Sequence, residues 1–334
     1  MKRKNIHNGF GSTVLVTGGA GFIGCNLSDK LLKLGFKVII FDNFQTGKRE
    51  NVTELLKSKN CSLVEGDVNI FDEIAPVFLK NKIDYVFHYA ACVGVDRTLA
   101  HPISVLADIE GIKNILSLSA MTKIKRIFYS SSSEVYGESP SFPQNEMNTP
   151  LNSRLPYAVV KNLGEVFIKT YHKEYGLDYT IFRFFNTYGP KQSDSFVMTK
   201  FIKQALENKD ITIYGDGSQT RTFFYVGDNA EATSNAIFMN KSINQVINVG
   251  NNIETPIKVL AENIIKVTGS KSKLKFLPPL IEGDMPRRMP DISLMGEILN
   301  VAPNVSLEDG IRKTVKYFKD KTQNGKDISG NSGI

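Results

Sequence analysis

Tyr157 and Lys161 stand four residues apart in Tyr157-Ala-Val-Val-Lys161, a spacing that puts a phenol and an ammonium on one face of a helix. An ammonium beside a phenol favours the phenolate, so the pair predicts a Tyr157 with a lowered pKa, usable as a base near neutrality. A second reactive group lies upstream in Ser130-Ser131-Ser132-Ser133-Glu134, after the apolar run Arg126-Ile127-Phe128-Tyr129. A serine hydroxyl from this segment could relay a proton between a substrate alcohol and Tyr157. A Tyr and Lys at this spacing are by themselves as readily packing residues. The serines change that reading, because an open parallel sheet builds its site at the carboxyl ends of its strands. The chemistry this constellation offers is oxidation of an alcohol, with a hydride passed to an acceptor.

The acceptor has its own signature. Thr17-Gly18-Gly19-Ala20-Gly21-Phe22-Ile23-Gly24 falls between the apolar run Val14-Leu15-Val16 and the apolar-periodic stretch Phe22–Leu34, which Gly35 ends. Strand, glycine turn and helix in that order let a backbone approach a pyrophosphate. The phosphates then meet the free amides of a helix N-terminus, around Phe22 and Ile23. Asp42, followed by Asn43, ends the second strand-like run and is placed for the adenosine ribose hydroxyls. Its charge would repel a 2′-phosphate, so the expected cofactor is NAD. Asp67-Val68 follows a third run and is placed near the adenine amine, the plainer alternative being that Asp67 caps the next helix. Ala90-Ala91, after a fourth run, are small enough for the dinucleotide to lie over them. Lys161 is also expected to hold the nicotinamide ribose.

These residues need an α/β scaffold. Runs at 38–41, 62–65, 85–89, 126–129 and 179–182 alternate with helical stretches at 71–81, 103–120 and 157–175, which predicts a Rossmann-type doubly wound parallel sheet. After Gly189-Pro190 the rhythm loosens into helices over 196–206 and 229–239 and short strands at 212–214 and 246–249. That predicts a smaller, partly interwoven lobe, with residues 1–185 mainly binding NAD, 186–320 mainly the substrate, and a last helix over 307–318. Residues 319–334 read as a frayed polar end, with 321–334 set apart as a tail.

The chain has 334 residues, a net charge of +7 and 41% hydrophobic residues, an ordinary globular composition. Its Lys and Arg are scattered among acids with no basic run interleaved with aromatics, which argues against nucleic acid. Three separated cysteines without a CxxC pair argue against a disulfide framework or a zinc site, and no metal is expected. With no apolar stretch long enough for a membrane and no secretory pattern at the start, the expected location is the cytoplasm.

Over residues 13 to 320 the chain resembles the extended short-chain dehydrogenases of the nucleotide-sugar epimerase and dehydratase family. The family's glycine motif matches Gly18, Gly21 and Gly24; its serine-rich motif ending in VYG matches Ser131 to Gly137; its YxxxK matches Tyr157 and Lys161. Its RxxNxYGP segment matches Arg183 to Pro190, its GDGxQxRxFxYVxD segment matches Gly215 to Asp228, and Pro286-Arg287-Arg288-Met289-Pro290-Asp291 resembles its arginine-containing stretch. The resemblance implies a UDP-, GDP-, CDP- or dTDP-sugar substrate, with Asn186 holding a phosphate or sugar hydroxyl and Arg221 and Arg288 gripping the diphosphate. Tyr214 or Phe196 would border the base or simply pack. It also implies a homodimer, built by the helices over 103–120 and 157–175. Three departures stand out: Val160 where members often carry Ser, Asp108-Ile-Glu-Gly111-Ile112 for their Asn-x-x-Gly-Thr, and Thr222 for Asp.

Family enzymes begin by oxidising the sugar at C4, and the ketone then permits several outcomes. A 4-epimerase asks least, since Ser132, Tyr157 and Lys161 suffice. A 4,6-dehydratase uses an Asp-Glu pair where this chain has Ser133-Glu134. A sugar-acid decarboxylase carries a hydroxyl residue followed by Ser-Glu and a distant Arg resembling Arg288, which fits. Against the decarboxylase, Val93 to Thr98 is more like the loop of epimerases and dehydratases. The sequence reading therefore puts 4-epimerase first and decarboxylase and dehydratase as alternatives, with a non-catalytic NAD-binding protein as the alternative of another class.

Overall fold

The computed structural model describes residues 9–93, 102–279 and 286–329. The loop argument from Val93 to Thr98 therefore falls, past Val93, outside the described residues. In chain order the strands are β1 (Thr13–Thr17), β2 (Lys37–Asp42), β3 (Cys61–Glu65), β4 (Tyr85–His88), β5 (Arg126–Ser132) and β6 (Tyr179–Phe184), then β7 (Thr187–Tyr188), β8 (Ile211–Tyr214), β9 (Thr220–Thr222), β10 (Phe224–Tyr225), β11 (Gln245–Val249), β12 (Glu254–Pro256) and β13 (Leu274–Leu277).

Seven of them form one parallel sheet in the order β11-β6-β5-β4-β1-β2-β3. This is the Rossmann-type doubly wound sheet. The order reverses between β1 and β4, which opens a crevice above their carboxyl ends, the place where such sheets bind ligands. Strand alternation sorts the core. Val14 and Val16 join Phe87, Phe128 and Ile247 on one face, under the helices Phe22–Lys33, Val226–Asn235 and Ser293–Leu299. Leu15 joins Val86, Ile127 and Ile181 on the other, under Phe71–Lys80, Asp108–Met121 and Pro156–Tyr175. Each such fully buried side chain stabilises by about 1.5–3 kcal/mol. Phe87, Phe128 and Phe182 stack across neighbouring strands, the first two with ring centroids 4.3 Å apart, and fix the register beneath the site.

Beyond β6 a separate apolar cluster gathers Phe201, Ile202, Ile211, Leu260, Ile264, Ile311 and Val315, while β11 returns to pair with β6 at the edge of the main sheet. Three helical expectations are revised. The stretch over 103–120 is two helices, Pro102–Leu106 and Asp108–Met121, so Asp108 begins a helix instead of lying inside one. The helix expected over 229–239 is Val226–Asn235, followed by a single tight turn at Ala236–Phe238. Of the residues read as frayed, 319–329 continue the last helix, Leu307–Ser329, and 330–334 lie outside the described residues. That helix starts on Ser306, whose Oγ accepts from the Asp309 amide at 3.1 Å, and an exposed ion pair of Lys321 with Glu50 at 2.5 Å joins its later part to the body.

Candidate active site

The crevice holds a cavity of about 780 Å³ that runs from Gly18 and Asp42 at one end to Tyr214, Arg221 and Arg288 at the other. Its cofactor end is shaped by backbone. Gly18 sits at a φ of +67° and a Cβ there would lie 2.7 Å from the Ala90 nitrogen, while a Cβ on Gly24 would meet the Gly18 carbonyl at 2.3 Å. Only glycine permits this turn and this packing. The helix Phe22–Lys33 begins on Gly21 with no side-chain cap and no acid in its first turn, which leaves its amides for an anion. Phe22 and Ile23 line that end of the cavity.

Asp42 is buried and does more than wait for a ribose. One carboxylate oxygen accepts from the Ala20 amide at 2.9 Å and the other from the Phe44 amide at 2.8 Å. Burial raises its pKa, against the pull of those amides. The Asn43 side chain donates to Asp67 at 3.0 Å, and Asp67 closes a turn on the Asn69 amide at 2.9 Å. Asp67 is not the cap of the helix Phe71–Lys80, whose N-terminal neighbour is Ile70; it belongs to the cavity wall with Val68, Ala90 and Ala91. An uncapped helix start, glycines at the turn and a carboxylate fixed at the end of β2 fit a dinucleotide.

At the centre, β5 delivers Ser130 to Ser132 and the helix Pro156–Tyr175 delivers Tyr157 and Lys161. Ser132 Oγ accepts from the Glu134 amide at 3.1 Å, and its hydroxyl lies near enough to the Tyr157 phenol to hold back the rise in its pKa. The expected electrostatics of Tyr157 need correction. Burial raises its pKa instead of lowering it, and the charges of Glu134 and Asp108 add to that rise against the opposing pull of Ser132. Lys161 does not offset the burial. Its ammonium lies 5.8 Å from the Tyr157 ring centroid and donates to Ser130 Oγ at 3.3 Å. Burial also brings Lys161 down to about 8, with the charge of Asp108 opposing the fall. Without a further positive charge, Tyr157 is therefore a proton donor. Ser130 and His88 complete this layer: His88 Nδ1 lies 2.8 Å from Thr17 Oγ1, and burial, with Lys161 nearby, brings its imidazole down to about 3. Sequence reasoning did not single out either residue.

The far end departs from the expectation for Arg288. Its guanidinium forms a two-pronged pair with Glu134, with Nη2 to Oε2 at 2.7 Å and Nη1 to Oε1 alongside. Arg288 is 6% exposed and Glu134 18%, and Arg288 Nε is buried without a hydrogen-bond partner. The segment carrying Arg288 is strapped to the loop after Tyr136: Gln144 donates its amide to Met289 at 2.7 Å and accepts from the Asp291 amide at 2.8 Å. Behind it lies a buried chain in which Glu165 takes Arg183 at 2.9 and 2.7 Å and Ser131 at 2.6 Å, Arg183 donates to the Tyr136 hydroxyl at 3.0 Å, and Tyr136 donates to Asn248 at 2.7 Å. Asn186 lines the cavity with a buried Nδ2 that has no partner, a donor for a ligand oxygen. Arg221 is buried beside it, with Nη1 on the Thr220 carbonyl at 2.8 Å. Phe196 and Tyr214 also line this end, and Lys200 lies over the Tyr214 ring at 5.2 Å.

A crevice at the strand reversal, a glycine turn feeding an uncapped helix, and Ser132, Tyr157 and Lys161 at its centre define a dehydrogenase-type nucleotide enzyme. The family model for the NAD dependent epimerase/dehydratase family matches residues 14–250, and the chain belongs to that family. It is 37% identical to the UDP-N-acetyl-alpha-D-glucosaminuronate decarboxylase of Bacillus cytotoxicus, over 92% of this chain and 97% of that one. With UDP-glucuronic acid decarboxylase 1 of Danio rerio it shares 35%, over 91% of this chain and 72% of that one. Among solved structures, the UDP-glucuronic acid 4-epimerase of Bacillus cereus, in complex with UDP-glucuronic acid and NAD, superposes with a TM-score of 0.86 at 31% identity, covering 92% of this chain and 99% of that one. The chain is an NAD-dependent enzyme of the epimerase and decarboxylase class acting on nucleotide sugars. Among the described residues no helix is long and apolar enough to cross a membrane.

Proposed function

We propose that the enzyme removes the C6 carboxylate of a nucleotide-linked uronic acid through a 4-keto intermediate. The observation that carries this reading is the Glu134–Arg288 pair beside Ser132 and Tyr157. Hydride transfer at C4 by itself uses neither member, and a mostly buried guanidinium is costly unless something anionic meets it. Within the chain that partner is Glu134; for the substrate it would be the sugar carboxylate, bound in the same two-pronged way. Two of the similar proteins described above are decarboxylases of UDP-uronic acids. This reading moves Arg288 from the diphosphate to the sugar and leaves the diphosphate to Arg221.

NAD, when bound, would supply the acceptor for the C4 hydride and the donor that returns it. Ser132 and Tyr157 take the proton of the 4-hydroxyl. A cationic nicotinamide held beside Lys161 would add positive charge there and so favour the Tyr157 phenolate. The resulting ketone lies β to the carboxylate, so the C5–C6 bond breaks with loss of carbon dioxide and its electron pair enters the C4 carbonyl as an enolate. Glu134 steers the ring while a proton is added at C5. Gly18, Gly21, Gly24 and the amides of Phe22 and Ile23 would hold the pyrophosphate, Asp42 the ribose, Asp67 and Asn43 the adenine edge, and Asn186 a substrate oxygen.

A dehydratase reading is weaker because Ser133, buried, replaces the acid that would protonate the leaving hydroxyl. The 4-epimerase remains the second reading, since hydride transfer alone would serve it and the Bacillus cereus 4-epimerase binds a uronate without the name of a decarboxylase. Product masses after incubation with UDP-, GDP-, CDP- and dTDP-linked uronates separate them: loss of carbon dioxide with one solvent deuterium at C5 supports the proposal, and unchanged mass with C4 inverted overturns it.

We further infer a homodimer. Ile103 and Leu106, and Val159 and Val166, expose apolar side chains on the helices Pro102–Leu106 and Pro156–Tyr175, a face suited to a four-helix contact. Sedimentation at micromolar concentration should give twice the monomer mass, and a monomer would refute it.

A further inference from the structure

Asp108 stands where family members often carry asparagine, and the catalytic reading leaves it unused. It begins the helix Asp108–Met121, lines the same cavity as Tyr157 and Lys161, and accepts the Cys92 amide on Oδ2 at 2.7 Å. That hydrogen bond asks only for an oxygen; asparagine would supply one equally well. What aspartate adds is charge. Among the described residues its field reaches Lys161 and Tyr157 on the neighbouring helix, Tyr129 on β5, and Asp67 beyond β3.

We infer that Asp108 is a positioning residue that acts through space on the Tyr157–Lys161 pair, keeping the Lys161 ammonium charged in its buried setting and setting the pH range in which the pair works. The inference rests on reading Tyr157 and Lys161 as the acid–base pair, and it holds for decarboxylation and epimerisation alike. Burial works against an ammonium at position 161, and a carboxylate facing it restores the charged form. The same carboxylate opposes a phenolate at Tyr157. Both effects move proton release in one direction, toward higher pH. The Asp108 carboxyl itself is pushed up by its burial to about 6, so the anion is present at neutral pH and is lost as the pH falls below that value.

The test compares Asp108→Asn, Asp108→Glu and the unaltered NAD holoenzyme. Asparagine keeps the acceptor for Cys92, so thermal stability should change little. Hydride transfer, read as NADH absorbance in a rapid-mixing experiment with UDP-glucuronic acid, should show both limbs of its pH profile moved to lower pH by roughly one unit, the scale on which a nearby charge acts. Asp108→Glu should restore the original limbs. A second readout needs no sugar: the tyrosinate absorbance that Tyr157→Phe removes from the holoenzyme should titrate at lower pH in Asp108→Asn. If the sugar is not turned over but this titration moves, the choice of substrate is wrong and the inference stands. Limbs and titration unchanged by Asp108→Asn, or moved to higher pH, overturn the inference, as does activity that survives Tyr157→Phe.

Discussion

The two ends of the cavity are built differently. The cofactor end is made of backbone: a left-handed glycine, a helix start without a cap, and a carboxylate that ties the glycine turn to β2. The substrate end is made of side chains from distant parts of the chain, with Glu134 and Arg288 separated by 154 positions and held by a strap that itself pairs with Gln144. Such an arrangement lets one end stay constant while the other specialises. A backbone cradle recognises what all dinucleotides share, whereas a pair of opposite charges recognises one substituent on one ring. Substitutions at the substrate end should therefore change the reaction and spare NAD, and those at the cofactor end should do the reverse.

The largest effect belongs between the two ends. Tyr157→Phe removes the hydroxyl beside Ser132 and should slow hydride transfer by about 10²–10⁴-fold, the range for a positioned acid–base group, while NAD titrates with unchanged affinity in calorimetry. A comparable loss of NAD affinity would mean that the centre cannot be separated from the cofactor end. Stability should respond next, at the buried chain behind the substrate end. Arg183→Met leaves Glu165 buried without its main partner, and breaking such a pair costs about 3–5 kcal/mol, readable as a lower midpoint in urea. A midpoint unchanged within error would show that Ser131 and Lys169 satisfy Glu165 without Arg183.

How far the sequence was legible follows the same division. Gly18, Gly21, Gly24 and Asp42 announce the cofactor end because these four lie within one strand, its turn and helix, and the next strand. The sheet was legible for the same reason: period-two runs such as Val14-Leu15-Val16 divide their side chains between two cores. Glu134 and Arg288 each drew notice as motif residues, yet nothing in spacing says that residues so far apart will meet. The lowered pKa expected for Tyr157 failed on a different ground. A four-residue spacing reports proximity along a helix, but desolvation depends on what the rest of the fold lays over the phenol. Asp108 was seen as a departure from the family pattern, and its electrostatic setting became visible only once its helix was found to start there.

A smaller effect tests the pairing at the substrate end. Arg288→Lys keeps the charge and loses the fork that meets Glu134, so kcat/KM with a uronate should fall by about 10–100-fold, matching the loss of a hydrogen bond to a charged group. NAD affinity should hold. Glu134→Gln should cost about tenfold, because the amide still accepts one of the two guanidinium bonds. Were Arg288→Lys to weaken binding of the free nucleoside diphosphate as much as it weakens use of the uronate, Arg288 would serve the diphosphate after all, as the family resemblance first implied.

The smallest effect is expected at Asp42, and it bears on the cofactor end alone. This carboxylate has two duties: it accepts the Ala20 and Phe44 amides, and, by the family resemblance, the ribose hydroxyls of NAD. The first holds the glycine turn against β2 whether or not cofactor is bound; the second excludes a 2′-phosphate by charge. Asp42→Asn separates them, because asparagine keeps one carbonyl oxygen for the turn but carries no charge. Losing a charged acceptor for the ribose should weaken NAD binding by about tenfold, and losing the repulsion should leave NADP no weaker than before and so narrow the preference. The variant should also be less sensitive to acid in its NAD affinity, since burial raises the Asp42 pKa and the native carboxylate is partly protonated at a higher pH than an exposed one. Calorimetric titration of both cofactors at neutral and mildly acidic pH reads all three quantities. A preference for NAD that survives Asp42→Asn at full strength would locate the discrimination elsewhere in the adenosine wall. Asn43 and Asp67, joined to each other across that wall, would be the next pair to change.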